Sequence, residues 1–245
     1  TIQDIAASSG WFVTALEIDP QGRLWVGTSS QGAFRRNIDG SFSEFSSNTL
    51  GGPGGFNHNH ILSFAFDNNL VWIGTSGGGL YRYDGITWQL FNNQTTNGLL
   101  PFSDIPDLEM DEAGDLWIAT SSAGLYAFKS NGTTFYFNTD SGLTHQHVQR
   151  LALDGNAWMW LGFAGQTGSD HLMRFNRQNS QFEIFNQNNS GLTHTNIWDI
   201  QKDSLGRFWF ASNGSGYGLA YYDSLGFHAQ SAFQNQSITD LVYAL

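Results

Sequence analysis

The chain has 245 residues, among them 29 Gly, 9 Trp, 20 Phe and no Cys, with 10 Lys and Arg against 21 Asp and Glu, a formal net charge of −11. That balance argues against a nucleic-acid backbone or an anionic membrane surface as partner, because both are held by clustered cations. No apolar run approaches the ~18 residues of a spanning helix, and the lack of Cys excludes disulfides, a thiolate nucleophile and Cys-ligated metal.

In chain order, residues 1–6 read as a stray outer strand, and five units of similar pattern follow. Their anchors are Leu24-Trp25-Val26-Gly27-Thr28, Val71-Trp72-Ile73-Gly74-Thr75, Leu116-Trp117-Ile118-Ala119-Thr120, Met159-Trp160-Leu161-Gly162-Phe163 and Phe208-Trp209-Phe210-Ala211-Ser212. The Trp-to-Trp spacings are 47, 45, 43 and 49 residues. A period of that length belongs to four-stranded propeller blades.

Each unit opens with an apolar run ending in Asp: Asp19, Asp67, Asp111, Asp154 and Asp203. In three units the turn is Asp-x-x-Gly (Asp19 to Gly22, Asp111 to Gly114, Asp203 to Gly206), which is hairpin chemistry because Asp bonds its own backbone and Gly takes positive φ. Such turns offer too few oxygens for a calcium loop. The second strand carries the Trp, the third begins near Gly32, Gly79, Gly124, Leu172 and Gly218, and a Phe-rich fourth closes the unit.

The expected fold is therefore all-β, a propeller of four-stranded blades at approximately 12–46, 60–91, 104–138, 147–186 and 196–230. Part of a sixth blade is expected from strands 1–6 and 237–245, where Ile238 and Leu241 repeat Val148 and Leu151. Such ends imply either an excerpt of a longer propeller, the favoured reading, or completion by another chain through open strand edges. The start at Thr1, without a signal pattern, fits a processed or excerpted segment.

The stretch Val71 to Asp84, with its Trp-Ile-Gly-Thr, Gly-Gly-Leu and Tyr-Arg-Tyr-Asp, resembles the repeat of the two-component-regulator propeller family almost letter for letter. The resemblance spans residues 12–245. It implies the propeller fold, a periplasmic or extracellular location and a sensor role in signal transduction, with kinase output outside this sequence. Unit four departs from the pattern at Gly162-Phe163, and the segment Asp84-Gly85-Ile86-Thr87-Trp88 is one residue short of a sialidase Asp-box.

The loops before each first strand and between strands two and three share one face in a propeller. Six of seven His fall there: His58, His60, His145, His147, His171 and His194. The residues just before each first strand, Phe12, His60, Asp104, His147, Asn196 and Ser237, are expected to form a ring at the channel mouth. Ala15, Ser63, Asp107, Arg150, Asp199 and Asp240 are expected further along the same strands. Trp198 lies between the two layers, where an aromatic could stack on a sugar or simply pack.

The candidate ligand-binding residues are thus His60, Asp104, His147, Asn196, Trp198, Arg150, Asp107 and Asp199, and the expected ligand is a small saccharide or peptide. No cofactor is expected, and the His pairs lack the accompanying carboxylates of a metal site. Alternatives are a scaffold that holds proteins or copies of itself, and a lyase or glycosidase using His147 with Asp104 or Asp107 as acid and base.

Overall fold

The computed structural model describes residues 11–47, 56, 58–165, 171–190, 196–213 and 218–229. The expected strands 1–6 and 237–245, together with His194, Ser237 and Asp240, lie outside these residues. Twenty strands form five four-stranded antiparallel sheets, each ordered as in the sequence. The first contains β1 (Val13–Ile18), β2 (Leu24–Thr28), β3 (Ala33–Arg36) and β4 (Phe42–Phe45), and the second β5 (Ile61–Asp67), β6 (Leu70–Thr75), β7 (Leu80–Tyr83) and β8 (Trp88–Phe91). The third contains β9 (Asp107–Met110), β10 (Leu116–Ala119), β11 (Leu125–Phe128) and β12 (Thr134–Phe137). The fourth has β13 (Val148–Asp154), β14 (Trp158–Phe163), β15 (Leu172–Asn176) and β16 (Phe182–Phe185), and the fifth β17 (Asn196–Lys202), β18 (Phe208–Asn213), β19 (Gly218–Asp223) and β20 (Gly226–Ala229). These are the blades of a β-propeller.

The chain divides into two compact units, Thr1–Thr120 with Ala127–Thr133, and Ser121–Tyr126 with Thr134–Leu245. In the first, blade one packs on blade two: Trp25 and Phe45 meet Ile61, Phe64, Tyr83 and Trp88. In the second, Trp160 of blade four meets Phe208, Phe210 and Tyr222 of blade five. These joints explain the small residue two positions after each Trp. A Cβ on Gly27 would lie 2.8 Å from Ile61, one on Gly162 2.7 Å from Ile197, and one on Gly74 2.7 Å from the Ile105 carbonyl. The next blade's inner strand thus comes too close to that backbone for a larger side chain.

The hairpin glycines Gly22, Gly114 and Gly206 have φ of 76°, 77° and 81°. In each of these turns the Asp does two jobs. Asp19 Oδ1 accepts the N–H of Gln21 and Arg23, while Oδ2 accepts the indole N–H of Trp25 at 2.9 Å. Asp111 with Trp117 and Asp203 with Trp209 repeat the arrangement at 2.9 and 2.8 Å. Indole and Arg207 bonds hold the Asp203 carboxyl far below the usual carboxylate range, with the Trp209 bond contributing most. For Asp19, burial pushes the other way, but bonds from Trp25 and Arg23 outweigh it. Blades two and four lack the Asp-x-x-Gly turn, and among the described residues the indole N–H groups of Trp72 and Trp160 have no acceptor.

The Arg opposite the Trp on strand three stacks on it. Arg35, Arg82 and Arg174 are the cross-strand partners of Trp25, Trp72 and Trp160, with guanidinium carbons 5.6, 5.6 and 5.4 Å from the indole centroids.

Four inner strands bulge at one repeat position. The pairing register shifts at Thr14, Leu62, Gln149 and Trp198, leaving each opposite no partner residue. In blade three the same position is Pro106, and regular pairing starts only at Asp107. A proline has no N–H to give the ladder, so the apolar run expected from Ile105 begins its strand two residues late.

Candidate functional site

The loop ends of the inner strands carry the candidate residues, and the blade architecture decides which of them meet. In blades one and two the Thr at the end of strand two clamps the following loop. Thr28 Oγ1 donates to the Gly32 carbonyl at 2.8 Å and Thr75 Oγ1 to that of Gly79 at 2.7 Å. The N–H of Gly32, Gly79 and Gly124 then donates to the segment preceding the next inner strand, to the carbonyls of Asn59, Ser103 and Gln146. These glycines have φ of 77°, 87° and 88°, a left-handed backbone that favours Gly at this position of the loop.

In the first unit the loop residue Ser76 gathers the local polar groups. Its carbonyl lies 2.6 Å from His58 Nε2, its N–H donates to the His60 carbonyl at 3.0 Å, and its hydroxyl donates to Asp104 Oδ1 at 2.8 Å. Asp104 Oδ2 also accepts the Ser103 hydroxyl at 3.4 Å. Asp107 accepts the backbone N–H of Leu108 at 3.0 Å. Ser63 donates across the blade joint to the Ile105 carbonyl at 3.1 Å. His60 and Asp104 therefore share one loop through Ser76, whereas Asp107 turns its carboxylate to its own strand.

In the second unit β13 and β17 lie side by side and contribute four of the expected residues, Arg150, Asn196, Trp198 and Asp199, with His147 just before β13. Arg150 Nε stands 3.8 Å from Asp199 Oδ1, and Arg150 Nη1 donates to the Gln149 carbonyl at 2.8 Å. The ion pair is part-exposed, at 29% and 19% of the two side chains. Asp199 Oδ1 also accepts the N–H of Ile200 at 2.9 Å. The His147 ring meets the Gln149 amide oxygen through Nε2 at 3.0 Å. Asn196 Oδ1 accepts the N–H of Gly165 at 2.9 Å, and a Cβ on Gly165 would lie 3.1 Å from His147 Nδ1. The loop after β14 thus bridges His147 and Asn196. Trp198 occupies the bulge between them and Asp199, and its indole N–H has no acceptor among the described residues.

The structure therefore forms two local groups here, His147 with Gly165 and Asn196, and Arg150 with Asp199. His147 belongs to the second unit and Asp104 and Asp107 to the first. Sequence reading missed Ser76, Gln149 and Gly165. Ser76 had a signal in the repeat, since Ser29 follows its Thr in the same way and exchanges bonds with Phe12. It also missed that His145 and His171 stack, with centroids 4.7 Å apart at 24°, beside Phe163. Phe163 replaces the clamp Thr in that blade.

The two-component regulator propeller family matches residues 8–30 and 191–214. The two stretches fall on blades one and five. No curated protein sequence matches the chain. Among solved structures, one described as the extracellular domain of the hybrid two component system BT3049 from B. thetaiotaomicron is similar at 20% identity and TM-score 0.72, covering 93% of this chain and 29% of that one. A second, of BT4673 from the same organism, gives 16%, 0.70, 89% and 30%. A Niastella koreensis GH74 enzyme gives 14%, 0.66, 90% and 37%. The chain spans about three tenths of the length of the first two. At these identities the likeness concerns the propeller fold alone. Among the described residues no helix is long and apolar enough to cross a membrane.

Proposed function

We propose that this propeller is an extracytoplasmic, non-catalytic sensing module of the two-component-regulator kind that binds a small polar ligand, a saccharide or peptide, at the loop ends of β13 and β17. The observation that carries the reading is the Arg150–Asp199 pair. At 3.8 Å it is too long for a bidentate lock, and both side chains are part-exposed. A ligand carboxylate or hydroxyl can compete with Asp199 for the guanidinium, whose ion pair is weak, while Nη1 keeps its bond to the Gln149 carbonyl. His147 and Asn196 add a second polar group on the neighbouring loop, and Trp198 supplies an aromatic body beside them. The resemblance to two-component sensor propellers supports the location and the signalling context.

Thermal-shift titration with a panel of oligosaccharides and short peptides tests it. The expected result is a stabilising shift with one class, lost in Arg150→Ala and reduced in Trp198→Ala. Shifts of wild-type size in both variants would remove the site from β13 and β17.

A further inference from the structure

In every blade the fourth strand is the last of its sheet, so one row of its backbone N–H and C=O groups faces outward with no ladder strand beside it among the described residues. All five of these strands have four residues, so length does not set one edge apart from another. Side-chain chemistry does. In four blades a polar residue two or three positions into the strand stands opposite a long side chain of strand three: Ser43 opposite Arg35, Gln89 opposite Arg82, Glu183 opposite Arg174 and His228 opposite Tyr221. Arg82 donates to Gln89 at 2.6 Å, Arg174 stands 3.8 Å from Glu183, and His228 stacks on Tyr221 at 4.6 Å. At these two repeat positions the sequence of blade three has Phe135 and Ala127. The polar residue and its Arg are replaced together.

Among the described residues β12 is consequently the one fourth strand with exposed aromatic side chains, and it has them on both faces, since successive residues of a strand point oppositely. Phe135 is 51% and Tyr136 59% exposed. Both are held by neighbours of their own unit. Tyr136 stacks on the buried Tyr126 at 5.7 Å and 25°, and Phe137 anchors the strand against Phe175 and Phe182 at 4.8 and 6.1 Å. The sequence carries no charge from Ser130 to Thr139, although the chain as a whole carries −11. Two copies can therefore meet at β12 without opposing carboxylates, whereas self-pairing of β4 or β16 would bring Glu44 or Glu183 toward its own copy. Beyond the uncharged stretch stand Lys129, already paired with Asp115, and Asp140. An antiparallel approach brings each Asp140 to the Lys129 end of the other copy, while a parallel one would set the two Asp140 side by side.

We propose that β12 pairs with β12 of a second copy of this chain, antiparallel about a two-fold axis at Tyr136, so that two four-stranded blades become one continuous sheet. This register sets Tyr136 against Tyr136 and Phe135 against Phe137, aromatic on aromatic across the seam. The contact is isologous and closes at two copies. It uses no residue of the ligand site at β13 and β17. The net charge of −11 on each copy opposes association, so added salt strengthens the dimer.

Sedimentation velocity of the 245-residue chain over a concentration series, at low and at moderate salt, tests the proposal. The expected result is a monomer–dimer equilibrium with no larger species, tighter in salt. Phe135→Glu gives blade three the residue that blade four has at this position, so the fold is kept, as a thermal melt of the dilute variant checks. The dimer dissociation constant of this variant rises at least about tenfold, because the charge is carried into the seam. Gln89→Glu, the same change at the edge of blade two, leaves the dimer as it was. The chain has no Cys, so a single introduced thiol reports the register directly. Tyr136→Cys cross-links to a dimer under mild oxidation, and Ile184→Cys, exposed at the equivalent position of blade four, does not. A wild-type chain that stays monomeric at both salt concentrations, association that continues past the dimer, a Phe135→Glu chain that dimerises like the wild type, or cross-linking of Ile184→Cys as fast as that of Tyr136→Cys would each overturn the proposal.

Discussion

Asp19 accepts the indole N–H of Trp25 at 2.9 Å, six residues away across its own hairpin. The bond ties the turn at one end of a blade to the side chain that fills the joint with the next. The turn Asp and the core Trp of the repeat are therefore one device, used again by Asp111 with Trp117 and Asp203 with Trp209.

Asp111→Ala removes the acceptor of the Ala113 and Asp115 N–H groups and strands the buried indole of Trp117. Leaving buried donors unpaired costs about 1–3 kcal/mol each, so a loss of at least about 2 kcal/mol is expected in urea unfolding. Trp160→Arg would confound packing with charge, so the useful contrast is Trp→Phe. In Trp117→Phe a carboxylate bond is lost, whereas in Trp160→Phe none is, and the difference between the two losses measures the bond.

Asp84 gives the acid response a defined window. Its Oδ1 accepts the N–H of Ile86 and Thr87 and its Oδ2 the Thr87 hydroxyl, and these bonds, led by the Thr87 backbone bond, lower its pKa from 3.8 to about 2. The folded value lies below the unfolded one. The carboxylate therefore stabilises the fold above the unfolded value, and that contribution is lost as pH falls through about 2. The Tm of Asp84→Asn should fall less steeply than that of the wild type between pH 4 and pH 2.

Gly74→Ala should be costly, since its Cβ would lie 2.2 Å from Ser63 Oγ and 2.7 Å from the Ile105 carbonyl. Overpacking of this kind costs about 1–3 kcal/mol. Ala119 and Ala211 already occupy the same repeat position, so Ala211→Gly should change stability much less. Thermal melts of the two variants separate a joint that needs Gly from one that accepts Ala.

Thr75→Val tests the loop clamp. It removes the bond to the Gly79 carbonyl and the acceptor of the Gly78 N–H, at a fully buried position. An expected loss of about 1–3 kcal/mol follows in denaturant unfolding. Faster amide exchange of Gly78 would place the effect in the loop that also holds His58, His60 and Asp104 through Ser76.

The repeat was legible because period-two alternation is local and survives in each unit, and the turn Asp recurs in all five while the turn Gly of Asp-x-x-Gly recurs in three. The bulge was half legible: Trp198 stands between two layers in the sequence register, but only the pairing with β18 shows that the strand has an extra residue there. The Asp–Trp bond was hidden because a turn Asp has sufficient reason to exist in its own backbone bonds. Of the site, the positions of Arg150 and Asp199 on adjacent inner strands followed from register. Their 3.8 Å separation did not, since it depends on Gln149 drawing the guanidinium to its own carbonyl. His147 meets Gln149 because i and i+2 side chains share one face of an extended segment.

Among the described residues the indoles of Trp72 and Trp160, unlike those of Trp25, Trp117 and Trp209, have no carboxylate to donate to. Indole fluorescence reports hydrogen bonding and solvent, so the repeat Trp fall into two optical classes fixed by whether their turn carries Asp-x-x-Gly. Trp160, dry and walled by Phe208, Phe210 and Tyr222, is a built-in probe at short wavelength. Its emission will move to the red when blade four parts from blade five, while Trp117 reports the integrity of its own hairpin.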